Sequence, residues 1–261
     1  MNASRKRIYR SIVKSIEEFN LNLSGEVVLS ELGTNEYNYV ALVPILAKAK
    51  KVIIIYNEGK LLNQLKSNFL TFINELKIKK NTFLLVSKRE LPSVKEEITI
   101  ISNCGNVRPI DQTLVNGMNR LKVVGLMYDA WELRKSDVDI DYLTKKRIKL
   151  VAVNETHHKH NLFSYVGPLC AKLCMESKHE IMNEQFLVWS DDPFGKYISK
   201  YLKQMGAKKV ISTVDKNKLY RSLVNLDIIV LARYNFEGEY FGLNGLFDED
   251  YIKQLNSIIS A

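Results

Sequence analysis

Short, nearly unbroken apolar runs rich in valine and isoleucine recur along this chain, separated by stretches of helical period. The runs occupy residues 27–32, 52–56, 83–87, 98–102, 123–128 and 149–153. A strand that is apolar at consecutive positions is covered on both faces, which is the situation of a parallel sheet whose crossover connections are helices. Segments 37–50 and 60–76 carry apolar residues at three- and four-residue spacing and are predicted to be two of those helices; an amphipathic helix over 8–19 precedes the first run. The pattern pauses for one long helical stretch, 162–176. It restarts at Gln185, with strands predicted at 186–189, 209–214 and 226–231 and a helix at 195–205. The fold class that follows is α/β, two consecutive open parallel sheets, the second smaller.

A length of 261 residues gives a prior of about two domains. With 46% apolar and 26% charged residues the composition is that of a globular protein, which excludes disordered and fibrous classes. The net charge of +9 is dispersed over lysine-rich segments such as 77–80 and 196–209 and over the start Arg5, Lys6, Arg7 and Arg10. Solvated helix faces account for it, and no nucleic-acid module is recognisable, so no nucleic-acid partner is expected. No run approaches the ~18 apolar residues of a membrane span, so no membrane partner is expected either. Three cysteines, an odd number, point to a reducing compartment and a cytoplasmic location; Cys170 and Cys174, one helical turn apart, are expected in the core.

Residues 121–215 resemble the middle of the D-isomer-specific 2-hydroxyacid dehydrogenases. The residues that carry the resemblance are Leu121-Lys-Val-Val-Gly125, Asp137-Val-Asp-Ile-Asp141, the basic turn Lys145 to Ile148, the strand 149–153 ending at Asn154, and the helix over 163–175. Next come the strand 186–189, the loop Ser190-Asp-Asp-Pro-Phe-Gly195 and a helix ending at Gly206. Asp215 lies twenty residues past Gly195. The resemblance implies a Rossmann/flavodoxin-like fold with 1–160 as an N-terminal domain led by a basic helix, 161–184 as a connecting helix and 185–261 as a nucleotide-binding domain. It implies NAD or NADP as cofactor, with Ser190, Asp192, Phe194 and Gly195 at the pyrophosphate loop and Asp215 on the ribose. Two of the family's loop glycines are replaced here by Ser190 and Asp192, and a carboxylate there opposes a phosphate. The family's later catalytic positions find no counterpart before Ala261, so its hydride-transfer residues are not carried over. The turn around Asn103, Gly105, Asn106 and Arg108 is also similar to one in S-adenosylhomocysteine hydrolases.

Ligands of open parallel sheets sit beyond the carboxyl ends of the strands. That rule selects Glu31 to Asn35, Asn57 to Gly59, Asn103 to Asn106, Asp129 to Glu132, Asn154 to His160 and Ser190 to Gly195. Arg108 offers a cation for a carboxylate or phosphate. Glu155 and Thr156 end the strand 149–153, beside Asp129, Trp131, Glu132 and Arg134, and His157, His158 and His160 follow. Acid–base work is expected of His157, and no metal site is expected, since a single His-His-x-His run does not converge its side chains. The candidate catalytic set is Glu155, His157 and Arg108. Thr34 and Asn35 are expected to cap the helix over 37–50, and Cys104 lacks an assured base to make it a nucleophile.

Two functions follow. One is an NAD(P)-dependent oxidoreductase acting on a small polar acid or sugar in the crevice between domains, with a small molecule as ligand and assembled as a homodimer or with another polypeptide. The other is a cofactor-free relative that senses a ligand or binds a partner after losing the phosphate loop. Ser190 and Asp192 speak for the second, Asp215 for the first.

Overall fold

The computed structural model describes residues 1–103, 105–129, 132–155, 157, 162–222, 226–233, 238–242 and 245–253, apart from a few side chains. The chain divides into two compact units, Met1–Asn154 and Glu155–Ala261. Both are built around parallel sheets, as the apolar runs require.

The first unit begins with α1 (Ala3–Glu18), whose N-cap residue Asn2 accepts a hydrogen bond from the Arg5 backbone N–H at 2.9 Å. The strands are β1 (Val27–Glu31), β2 (Lys51–Tyr56), β3 (Phe83–Ser87), β4 (Ile100–Asn103), β5 (Val123–Asp129) and β6 (Lys149–Val153). They form one six-stranded sheet in the order β3-β2-β1-β4-β5-β6, with every pairing parallel. The chain thus winds outward from β1 through β2 to β3, then returns to the other side of β1 and winds outward again. That is a strand order of dinucleotide-binding sheets. Every residue of β1 is buried, none more than 4% exposed, and successive side chains enter opposite layers: Val27 and Leu29 join one core, Val28 the other. Thr99 ties the returning chain to β1. Its Oγ1 accepts from the Val27 N–H at 2.9 Å while its own N–H donates to the Val27 carbonyl at 2.9 Å.

Four further helices belong to this unit: α2 (Leu42–Leu46), α3 (Leu62–Glu75), α4 (Gln112–Val115) and α5 (Ile140–Lys145). Phe69, Phe72 and Ile73 of α3 are fully buried at helical spacing, and the Phe72 ring meets Tyr39 edge-on at 5.1 Å. Asp139 caps α5 by accepting from the Tyr142 N–H at 2.9 Å.

The single helix expected over 37–50 is not formed. A 3-10 turn, Asn35–Tyr39, and the five-residue α2 stand in its place. Pro44 has no N–H to donate back to residue 40, and a Cβ on Gly33 would come within 2.7 Å of the Tyr37 Cβ, so the chain turns too tightly there for a regular helix. Thr34 occupies the cap position without a side-chain cap, and Asn35 takes φ +52°, so the capping expected of this pair is not made. The stretch 162–176 likewise splits into a 3-10 turn, Leu162–Tyr165, and α6 (Val166–Glu176).

The second unit holds β7 (Gln185–Trp189), α7 (Pro193–Gln204), β8 (Lys209–Thr213), α8 (Lys216–Ser222) and β9 (Ile228–Leu231), in sheet order β8-β7-β9, all parallel. Residues 186–215 therefore form the expected βαβ unit. Phe186 and Val188 face a core shared with Cys170, Cys174, Ile198 and Leu202, so α6 packs on α7 within this unit; Leu187 and Trp189 face Leu219, Phe247 and Tyr251. A Cβ on Gly167 would lie 2.5 Å from the Tyr201 Cβ, which shows how closely the two helices cross. Burial, with Cys174 next to it, pushes the Cys170 thiol up to about 12. Both cysteines are free and buried, as the sequence suggests.

Phe72→Ala is expected to lower the stability of the first unit by about 3–5 kcal/mol, measured by urea denaturation, because the ring is fully buried between α3 and the sheet.

Candidate functional site

Where the winding of an open sheet reverses, the connections leave neighbouring strands in opposite directions and open a crevice at their carboxyl ends. In the first sheet this reversal falls between β1 and β4. A cavity of about 620 Å³ lies there, lined from the ends of β1 (Glu31, Gly33, Thr34, Tyr37) and β2 (Asn57, Gly59, Lys60), from the start of α3 (Leu61, Leu62, Leu65) and from the segment after β4 (Gly105, Arg108).

Its polar groups have distinct origins. Glu31 is the last residue of the most buried strand and is itself only 4% exposed, so a carboxyl group stands at the mouth of the sheet beside leucine side chains. Arg108 is held from two sides. Its Nη1 pairs with Asp137 Oδ2 at 3.0 Å, and its guanidinium carbon lies 4.8 Å from the centroid of the Tyr128 ring. Such bracing limits the rotamers of a long side chain and holds its planar head in a set direction. Lys60, exposed, brings a second cation from the turn before α3. Gly59 and Gly105 leave open space where a Cβ would stand, which lets a ligand approach the backbone. Two cations, a carboxyl group and a leucine wall suit a small molecule that carries an anionic group and hydroxyls.

The loop between β7 and α7 has a different character. Ser190, 6% exposed, accepts from the Gly195 N–H at 3.1 Å through its Oγ and donates to Asp192 Oδ1 at 2.8 Å. The same Asp192 oxygen accepts from the Phe194 N–H at 2.9 Å and so caps α7. The backbone donors that a pyrophosphate would take at this place are engaged by two side chains of the loop itself. Gly195 is a packing glycine, for a Cβ there would stand 2.7 Å from the Ser190 Cβ. Phe194 packs on Phe163 with centroids 5.2 Å apart. Asp215, expected on a ribose, accepts from the Asn217 N–H at 2.9 Å through its Oδ1 at the start of α8. The residues present do not fit a dinucleotide bound at this loop in the ordinary way. The physical reason is that an Asp192 carboxylate sits where the helix would otherwise favour a phosphate.

Of the candidate catalytic set, Arg108 lines the cavity, whose whole lining comes from the first unit. Glu155 and His157 are half-buried and open the second unit. Cys104, Trp131, Thr156, His158 and His160 and the Asp129 side chain lie outside the described residues. Among the described residues no group of three or more His, Cys, Asp and Glu is placed to hold a metal ion, and no helix is long and apolar enough to cross a membrane. Sequence reasoning passed over Lys60 and Tyr37. The signal available for Lys60 was its position directly after the strand-end turn Asn57 to Gly59.

No protein-family model matches the chain, and no curated protein matches it in sequence. Solved structures similar to it include a dipicolinate synthase component from Bacillus halodurans, 10% identical over 80% of this chain and 74% of that one, with a TM-score of 0.49. The pyruvate reductase of Chlamydomonas reinhardtii is 12% identical over 90% of this chain and 75% of its own, with a TM-score of 0.47. An NAD-dependent formate dehydrogenase from Staphylococcus aureus, solved with NAD, is 11% identical over 88% and 69%, with a TM-score of 0.42. A reductase and a dehydrogenase are thus among the structures this chain is similar to, and no residue role rests on them.

Freeing the loop donors is expected to create phosphate affinity. The double variant Ser190→Gly/Asp192→Gly should bind NAD about tenfold more tightly than the parent by calorimetry, the equivalent of about 1.4 kcal/mol. Unchanged affinity would show that these side chains do not block the loop.

Proposed function

We propose that this protein binds a small polar acid or sugar acid in the cavity at the carboxyl ends of β1, β2 and β4. The observation that carries this reading is the Arg108 guanidinium, braced by Asp137 and Tyr128 at the rim of a cavity that also holds Lys60 and Glu31. A guanidinium fixed in this way suits a carboxylate or phosphate, whose oxygens match its planar array of N–H donors. Glu31 supplies acceptors for ligand hydroxyls, and the leucine wall of α3 excludes water from one side. The function is that of a ligand-binding protein whose second unit needs no dinucleotide at the β7–α7 loop.

A second reading is favoured by one observation, the order β3-β2-β1-β4-β5-β6 of the first sheet, which is that of dinucleotide-binding sheets. In that reading the chain is an oxidoreductase acting on a small polar acid or sugar, and NAD or NADP is bound by the first unit.

Calorimetric titration with a panel of short hydroxy acids, sugar acids and sugar phosphates, beside NAD and NADP, separates the two. The first reading expects one of the small acids to bind, and expects Lys60→Ala and Arg108→Gln each to weaken it about tenfold or more, in line with the loss of a charge-assisted hydrogen bond. Binding of NAD or NADP that Arg108→Gln abolishes supports the second reading. Small-acid binding that neither variant alters contradicts the first.

A further inference from the structure

A large apolar side chain that stands in solvent singly needs no explanation, but two that border one cavity do. Tyr37, 51% exposed, and Leu61, 56% exposed, both line the cavity at the ends of β1 and β2. The same lining includes Leu62 and Leu65, half-buried in the first turn of α3, and the buried Leu32. Asn38, only 2% exposed, fastens the two parts of this wall. Its Nδ2 donates to the Gly33 carbonyl at 3.4 Å and to the Leu65 carbonyl at 3.1 Å. The turn that carries Tyr37 and the helix that carries the leucines are thereby held together.

The braced charge lies on the other side of β1. The strand order places β1 between β2 and β4, and the Arg108 guanidinium rests on Tyr128 of β5, beyond β4. The leucines of the wall follow β2. Two strand spacings, about 10 Å in all, separate β2 from β4, so guanidinium and leucines face the cavity from opposite ends. Lys60, next to Leu61, is exposed, and its long stem lets the ammonium stay in water while the wall stays apolar. Resting on the small-acid reading above, we propose that Tyr37 and Leu61 select an acid whose body is an apolar ring or branched chain. The carboxylate meets Arg108 and the body lies against these two side chains. A sugar acid laid the same way would put its hydroxyls against leucines, where they lose water and find no partner. An aromatic ring incurs no such loss, and Tyr37 offers it a second ring to pack on.

The test is calorimetric titration of the full chain with racemic 3-phenyllactate, lactate and gluconate under one set of conditions. Phenyllactate should bind about tenfold or more tightly than either of the others. Tyr37→Ser and Leu61→Ser should each cut the ratio of phenyllactate to lactate affinity by about threefold or more, whereas Arg108→Gln should weaken both acids and leave the ratio as it is. Lactate or gluconate bound as tightly as phenyllactate overturns this inference and leaves the small-acid reading standing. A preference for phenyllactate that neither serine variant reduces overturns the assignment to Tyr37 and Leu61. Absence of binding by all three acids overturns the inference as well, and the wider panel of acids and sugar phosphates then decides the small-acid reading separately.

Discussion

β1 is covered on both faces and paired on both edges, and the chain leaves its two neighbours in opposite directions. That constraint organises the first unit. A strand buried on both faces reads as a nearly continuous apolar run, as Val27 to Leu29 do here ahead of the buried Ser30 and Glu31, with parallel partners at its edges and helices above and below. Because β2 continues the winding on one side and β4 restarts it on the other, the connections diverge at the carboxyl end of β1. The crevice between them is a consequence of topology, and the residues that end β1 and β2 or follow β4 line it whatever else they do.

The two units show how a similar local architecture is used in opposite ways. At the end of β1 the chain places Glu31 and then a tight turn at Gly33, which leaves a cavity whose walls carry charge. At the end of β7 it places Ser190 and Asp192, whose side chains bond the N–H groups of Gly195 and Phe194. A helix start satisfied by its own cap gains stability and loses its capacity for an external anion. The second unit thus keeps the βαβ geometry while its helix start serves packing, with Gly195 against Ser190 and Phe194 against Phe163.

Much of the fold is legible in the residues because two-faced burial writes itself as unbroken apolar runs. β3 and β6 fall at the bounds that the runs suggest, and residues 186–215 form the expected βαβ unit. Segment 37–50 is misleading because its helical spacing is real but Pro44 and the close approach of Tyr37 to Gly33 break the backbone pattern. Strand order is not legible at all. The pairing of Val28 with Ile100 joins residues 72 positions apart, and no local pattern encodes it. The same limit applies to the site: Arg108 stands out as a strand-end cation, whereas its brace by Asp137 and Tyr128, and the meeting of Lys60 with Glu31 in one cavity, arise only from the sheet order. The loss of glycines at Ser190 and Asp192 is plain in the sequence, but that these side chains take over the loop's N–H groups is a matter of geometry.

The central claim is that ligand recognition belongs to the reversal point of the first sheet and not to the β7–α7 loop. The most direct measurement is a set of amide NMR spectra of the isotopically labelled protein during titration with a hydroxy or sugar acid. The account predicts shifts concentrated at Gly33, Gly59, Lys60 and Gly105. Shifts concentrated at Asp192, Phe194 and Gly195, with the first group unmoved, would contradict it.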